Sequence, residues 1–190
     1  MAFDDDSRLA RRAQKGDRQA FEALLDRYER PIYSFIYHFF QDRALCEDLT
    51  QETFLRAYRF IGSFRPGEKM STWLYSIAKN LCIDELRRRK KGTAVDIDAV
   101  DPDLLVAEGR DGGNPLVAAI DQEQGEILRK LLLRVPEKYR MSIILFYFNE
   151  LSYEEISAIM EISLSNTKIL LFRGKRMLVE LYRKETGGKV

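Results

Sequence analysis

Apolar residues recur at spacings of three and four along nearly the whole chain, and the strict alternation typical of half-buried β-strands is absent. This period places apolar side chains on one face of an α-helix. The chain has 190 residues, of which 45% are hydrophobic, enough for one large core or two small ones. The sequence therefore predicts an all-α protein.

One short segment interrupts the helical pattern. Residues 93–113 contain five Asp, one Glu, one Pro and three Gly, with a single basic residue. By contrast, residues 1–92 hold 18 basic and 14 acidic residues, and residues 114–190 hold 12 and 10. Acidic stretches with Gly and Pro are typical of linkers. We therefore expect two helical domains, 1–92 and 114–190, joined by a flexible acidic linker at 93–113.

Composition argues against several classes of protein. The longest apolar run, Ile143–Phe148, is far shorter than the roughly 20 residues that span a bilayer, so we expect no membrane insertion. The acidic N-terminus lacks the apolar stretch of a signal peptide. Cys46 and Cys82 are too few for a disulfide framework and fit a reducing cytoplasm, where we expect the protein.

Catalytic and metal-binding patterns find little support. The single histidine, His38, and two distant cysteines cannot build a tetrahedral zinc site without carboxylates. The sequence contains no Gly-rich phosphate loop and no nucleophile elbow. We therefore expect no metal, no cofactor and no enzymatic activity.

Cap and breaker residues predict where the helices begin and end. Pro31 lies inside the second expected helix, 18–40, and should break or kink it, because proline lacks a backbone donor. Asn114-Pro115 favours a new helix start after the linker. Candidate caps in the first block are Asp6 with Ser7, Asp17, Asp42 and Ser71. Helices in the second block are expected over 116–134, 137–148, 153–160 and 164–183.

A helix-turn-helix is indicated near the C-terminal end. Ser152 and Glu155 form a capping box for a short helix. A three-residue turn, 161–163, follows, and its Ser163 can cap a longer helix. Glu161 occupies the position where such turns usually carry glycine. This plan is typical of DNA-binding helix-turn-helix motifs, although an ordinary helical hairpin gives the same pattern.

The longer helix has one face that suits DNA. Ile169 and Phe172 would be unusual on a face that contacts only solvent. In a DNA major groove, apolar side chains contact thymine methyl groups, and Arg or Asn side chains bind base edges. The two apolar residues would also fit a protein contact. The face expected to be buried is Leu164, Thr167, Leu171, Gly174, Leu178 and Leu181. The opposite face carries Asn166, Ile169, Phe172, Arg173 and Arg176, with Lys168 on its flank.

The third helix carries a leucine among polar residues. Leu55 lies opposite the expected core, within a stripe of charged and amide side chains. This placement suggests a docking surface for a partner helix, although single exposed leucines are also normal. The expected core face is Cys46, Leu49, Thr53, Ala57 and Phe60.

The fourth helix and the loop before it combine aromatic, amide and basic side chains. Phe64 and Arg65 lie in the loop, and the helix shows Ser76, Lys79, Asn80, Ile83 and Arg87, with Trp73 at the edge. This combination suits single-stranded nucleic acid, where bases stack and phosphates pair with cations. Phe64 and Trp73 could equally fill the core. The basic run 87–91 is consistent with an anionic ligand or with a solvated helix end.

These features occur together, in this order, in bacterial sigma factors. The chain closely resembles the small two-domain, extracytoplasmic-function (ECF) class over nearly its whole length. The motifs that carry the resemblance are Glu47–Tyr58, Phe64-Arg65, Thr72–Asn80 and Leu151–Ile159.

The resemblance implies an alternative sigma factor that binds core RNA polymerase, recognises the −35 and −10 promoter elements and promotes DNA melting. It implies region 2 in residues 1–92 and region 4 in residues 114–190, with the acidic linker directed toward the RNA exit path. The implied partners are promoter DNA, the β′ clamp helices and β flap of the polymerase, and an anti-sigma factor.

The implied polymerase-binding residues are Asp48, Gln51, Glu52, Leu55, Arg56 and Arg59. The implied −10 single-strand residues are Phe64, Arg65, Trp73, Ser76, Lys79, Asn80 and Arg87. The implied −35 residues are Ser165, Asn166, Lys168, Ile169, Phe172, Arg173 and Arg176.

The chain departs from the family pattern at the reading helix. Residues 165–167 replace a usual Gly-Thr-Val, and Ile169 stands where a small polar residue is common. Two other interpretations remain at this point. A free-standing helix-turn-helix regulator would leave the Leu55 stripe without a role. A helical adaptor that binds only proteins would leave the face around Arg173 unexplained.

Overall fold

The structure is a computed structural model that describes residues 2–65, 67–89 and 122–187. These residues form eight α-helices and contain no β-strand, which confirms the all-α prediction. The chain separates into two compact units, of which the first includes α1 to α4 and the second includes most of α5 to α8. The bounds are α1 Ala2–Gln14, α2 Arg18–Phe40, α3 Arg43–Phe60, α4 Met70–Arg89, α5 Gln122–Leu132, α6 Glu137–Ile143, α7 Tyr153–Met160 and α8 Leu164–Glu185.

The predicted linker, 93–113, and the predicted helix start at Asn114-Pro115 lie outside the described residues. None of the helices in the described part combines the length and the apolar content needed to cross a bilayer.

The first helix begins earlier than its sequence suggests. Asp6 is predicted to precede the helix, but it lies within α1 and is only 6% exposed. Its carboxylate accepts hydrogen bonds from Arg27 and from the Tyr28 hydroxyl on α2. A buried carboxylate needs such partners, because isolated burial of the charge is costly. The Asp6 contacts therefore join α1 to α2, and burial together with Asp6 raises the pKa of Tyr28.

The second helix runs through its proline. Asp17 caps it as expected, accepting a hydrogen bond from the Ala20 amide at 3.1 Å. Pro31 is predicted to break or kink the helix, and the break does not occur, because α2 continues without interruption from Arg18 to Phe40. A kink there stays a prediction. Proline removes one helical hydrogen bond, but the residues after it bury a large apolar surface that holds the helix together. Those buried residues are Ile32, Phe35, Ile36 and Phe39.

The third and fourth helices complete the first core. Asp42 caps α3 through the Leu45 amide at 3.2 Å, as predicted. Phe60, expected in the core, is instead 60% exposed, because α3 ends there and the chain turns into a short 3-10 segment. Ser71, expected as a cap, lies inside α4, which begins at Met70.

The two cysteines are both buried in this unit and carry free thiols. Burial raises the pKa of Cys46 to about 11 and also raises the pKa of Cys82. Both thiols therefore stay protonated near neutral pH, which is the unreactive form of the side chain.

The second unit packs α8 against α5 and α6. Its core contains Leu128, Leu131, Leu132, Val135, Ile143 and Leu178. Gly174 lets α8 approach α6 closely: a Cβ atom there would lie 3.0 Å from Ile143 Cδ1 and 3.2 Å from Tyr139 Cβ. The helix predicted over 137–148 is α-helical only to Ile143 and continues as one π-helical segment, Ile144–Phe148. This segment leads directly into the turn before α7.

Candidate nucleic-acid and protein interfaces

The predicted helix-turn-helix is present in α7 and α8. The Ser152 amide donates to Glu155 Oε2 at 2.8 Å and the Glu155 amide donates to Ser152 Oγ at 3.2 Å, so the capping box is confirmed. Glu161 occupies the turn in the left-handed region, with φ of 58°, where glycine is usual. Ser163 then caps α8 by accepting from the Asn166 amide at 3.2 Å. Local capping thus sets where α8 begins.

The outer face of α8 carries the residues predicted to read the −35 element. Phe172 is 37% exposed, and Arg176 is exposed and pairs with Glu180 at 3.3 Å. Thr167, Leu171, Gly174 and Leu178 are buried on the other side, as expected, whereas Leu164 at the helix start is exposed. Ser165 and Lys168 are exposed, and Asn166, Ile169 and Arg173 are half-buried. The helix therefore presents a mixed apolar and basic surface.

The stripe on α3 is exposed as the sequence predicts. Leu55 is 45% exposed, and its neighbours on that face are polar. Glu52 and Arg56 form an ion pair of 2.8 Å along the helix. Asp48, Gln51 and Arg59 are exposed as well. We call residues 48, 51, 52, 55, 56 and 59 the α3 stripe.

The loop between α3 and α4 is anchored from a distant helix. The Gln14 side-chain amide donates to the carbonyl oxygens of Ile61 at 3.0 Å and Phe64 at 2.7 Å. Because Gln14 lies 47 and 50 residues earlier in the chain, no local pattern reveals this contact. The end of α1 therefore fixes the position of this loop.

Within the same loop, the predicted base-stacking aromatic is buried. Phe64 is only 2% exposed, and its ring centroid lies 5.5 Å from that of the half-buried Trp73. The ring belongs to the core here, which is one of the two alternatives the sequence left open. Contact between Phe64 and a flipped base stays a prediction. Arg65, next in the chain, is exposed.

The remaining predicted −10 residues follow one side of α4. Asn80 and Arg87 are exposed, and Arg87 lies 3.8 Å from Asp84. The Ser76 hydroxyl is half-buried and donates to the Thr72 carbonyl at 2.9 Å. These positions, together with Trp73, recur at intervals of three, four and seven, so they lie on one face. Lys79, also predicted for this site, is instead buried, with 5% of its surface exposed. The exposed predicted −10 residues therefore extend from the loop before α4 to the basic C-terminal end of that helix.

Among the described residues, no group of three or more His, Cys, Asp or Glu side chains could hold a metal ion. The exposed groups of both units are instead suited to contacts with DNA or protein.

Comparisons with known proteins match both units. The family model for Sigma-70 region 2 matches residues 24–92, and that for Sigma-70 region 4 matches residues 125–178. The chain is 36% identical to the ECF RNA polymerase sigma factor SigW of Bacillus subtilis, over 88% of this chain and 91% of that protein. It is 32% identical to the ECF RNA polymerase sigma-E factor of Escherichia coli, over 91% and 92% of the two chains.

Solved structures share the fold. CnrH in complex with the cytosolic domain of CnrY matches with a TM-score of 0.72 and 20% identity, over 95% of this chain and 98% of that one. The sigma factor RpoE from Bartonella quintana, crystallised with the anti-sigma factor NepR, matches with a TM-score of 0.64 and 23% identity, over 86% and 96%.

The chain therefore belongs to the Sigma-70 family, as an RNA polymerase sigma factor of the ECF class. This confirms the resemblance drawn from its motifs. Sigma factors are transcription initiation factors and not enzymes. The alternative of a free-standing regulator is excluded, because both sigma regions match in one chain.

Proposed function

We propose that the two units divide the work of this sigma factor. The first unit, taken as residues 1–92, docks on core RNA polymerase through the α3 stripe and holds the opened −10 strand at the loop before α4. The second, taken as residues 114–190, reads the −35 element as duplex through α8. The exposure of Leu55 within a polar stripe carries this assignment.

A partner helix would bury Leu55 and leave its polar neighbours at the rim. Burial of a leucine side chain contributes roughly 1.5–3 kcal/mol, whereas exposed ion pairs such as Glu52–Arg56 contribute about 0–1 kcal/mol. One apolar anchor inside a polar rim is the usual anatomy of an interface hot spot. The β′ clamp helices implied by the family resemblance are a partner of this kind.

The docking proposal is tested by the double variant Leu55→Asp with Gln51→Ala. We expect binding to core polymerase to weaken at least about 30-fold, because a carboxylate would have to be buried without a partner. Co-migration with core polymerase on a sizing column measures this. The variant Leu55→Met with Gln51→Ala keeps an apolar anchor and should bind nearly as the parent does. Normal binding by a folded Leu55→Asp variant would overturn the assignment.

The −35 proposal rests on the capped start of α8. Ser163 sets the position of the first turn, and the following turns carry Lys168, Ile169, Phe172 and Arg173 outward. A basic and apolar face of this type can read base edges and thymine methyls in the major groove. Ser165 and Asn166, which differ from the usual family pattern, would alter the preferred −35 sequence, whereas Thr167 is buried and does not face DNA.

An anti-sigma factor is proposed as a further partner, in the cytoplasm where the polymerase acts. The RpoE structure with the same fold was solved with an anti-sigma factor bound. We expect such an inhibitor to compete for the α3 stripe, whose Leu55 is an exposed apolar side chain among polar ones. Capture of partners on the parent chain and on the Leu55→Asp variant, read by mass spectrometry, tests this. An inhibitor retained equally by both chains would contradict competition at the stripe.

A further inference from the structure

A second charged surface lies on α1, outside every residue assigned above. Arg8, Arg11, Arg12 and Lys15 recur at intervals of three and four, so they form one stripe along the helix. Together with Asp5 and Ser7 they line a shallow groove of about 590 Å³. We call these four cations the α1 stripe.

Two members of the α1 stripe have acidic partners, and two do not. Arg8 pairs with Asp5, and Arg12 with Asp17, each at 2.7 Å. These pairs are largely exposed, so they contribute little and a phosphate can compete for the guanidinium groups. Among the described side chains, no carboxylate lies within ion-pairing distance of Arg11 or Lys15. Among the described side chains, the four cations therefore have two carboxylate partners, Asp5 and Asp17.

The α1 stripe ends at Lys15, one residue after the side chain that anchors the loop assigned to the opened strand. Gln14, adjacent to Lys15, holds the carbonyl oxygens of Ile61 and Phe64. The stripe covers about 10 Å along the helix, at 1.5 Å per residue. At 3.4 Å per nucleotide of a stacked strand, this length matches about three phosphates.

We propose that the α1 stripe binds backbone phosphates of promoter DNA next to the −10 element, on the side of the loop where α1 ends. Guanidinium groups suit this role because they bind phosphate in a bidentate manner. The contact is independent of base sequence, so it anchors the strand while the loop and α4 recognise bases. This inference rests on the proposed placement of the −10 strand at the loop.

The test uses holoenzyme assembled from core polymerase and the full chain. The probe is a promoter fragment with a pre-opened −10 bubble, whose sequence the parent holoenzyme has enriched from a randomised library. We compare Arg11→Ala with Lys15→Ala against a control that removes two exposed cations elsewhere, Arg30→Ala with Lys130→Ala. Dissociation constants are measured at several salt concentrations by fluorescence anisotropy.

If each of Arg11 and Lys15 neutralises one phosphate, the slope of log K against log salt falls by about 1.4 and affinity at 0.15 M salt falls roughly tenfold. The control should match the parent. The charge-preserving variant Arg11→Lys with Lys15→Arg should also retain binding. Parent-like affinity and slope in the alanine variant would overturn the proposal, and so would a loss confined to polymerase binding.

A loop variant separates this inference from the function it rests on. Arg65→Ala with Asn80→Ala removes two exposed side chains of the proposed −10 site. If the loop variant weakens bubble binding and the α1 variant does not, only the α1 proposal fails. If neither weakens it, or if the library yields no promoter, the placement of the strand at the loop fails and the α1 proposal fails with it.

Discussion

Phe64 and Phe172 are both predicted to touch DNA, but the two units present them in opposite ways. Phe172 stands on the outer face of a capped helix and is 37% exposed, whereas Phe64 is packed against Trp73 and is 2% exposed. The surface proposed to read duplex DNA is therefore already formed. The surface proposed to hold a single strand keeps its aromatic ring inside the fold.

The largest expected effect is on stability, and it separates the two phenylalanines. Phe64→Ala should lower the free energy of unfolding of the first unit by about 3–4 kcal/mol, because it leaves a cavity in a packed core. Phe172→Ala should lower the stability of the second unit by less than about 1 kcal/mol. Urea unfolding followed by circular dichroism measures both. Similar losses for the two variants would erase the contrast between the units.

A smaller effect concerns recognition at α8. Arg173→Ala should weaken binding to −35 duplex by roughly 1–3 kcal/mol if the side chain contacts a base edge. Anisotropy on the enriched −35 sequence and on a scrambled duplex measures this. Equal losses on both duplexes would mean that Arg173 contacts phosphate, and that neighbouring side chains of α8 recognise the bases.

The cap that positions α8 should contribute about 1 kcal/mol. Ser163→Ala removes the acceptor for the Asn166 amide, a loss of roughly 0.5–2 kcal/mol for typical caps. Thermal unfolding is the measurement, and Ser163→Asp, which keeps an acceptor, is the matched control. If the alanine variant unfolds at the parent temperature, the cap does not hold the reading helix in place.

The smallest effect is a gain in stability. Glu150 has φ of 55°, in the left-handed region that favours glycine. Glu150→Gly should therefore stabilise the second unit by about 0.5–1 kcal/mol, with Glu150→Ala as the control that keeps the strain. Identical melting temperatures for the glycine and alanine variants would show that the backbone at this position is relaxed.

Most features that depend on neighbours in sequence were predicted correctly, although the cap expected at Ser71 was wrong. In each confirmed cap the hydrogen-bond donor and acceptor lie three residues apart in the chain, so local chemistry decides it. These caps are Asp17, Asp42, Ser163 and the capping box of Ser152 and Glu155. The exposed position of Leu55 follows from helical period alone, and so does most of the buried face of α8.

Most of the errors involve contacts between residues far apart in the chain, and one concerns the end of a helix. Packing against other helices keeps α2 continuous through Pro31, which local propensity would interrupt. Asp6 is buried because partners 21 and 22 residues away satisfy its carboxylate. Phe60 leaves the expected core face because α3 ends there, and the exact end of a helix is the least predictable part of its pattern.

Gly174 has a consequence for how this protein can change. The tight approach of α8 to Ile143 and Tyr139 fixes the helix from behind, on the side away from the reading residues. Residues on the outward side can then be exchanged without moving the backbone that carries them. Under the proposed reading role of α8, single substitutions on its outward side would change the preferred −35 sequence while the scaffold stays the same.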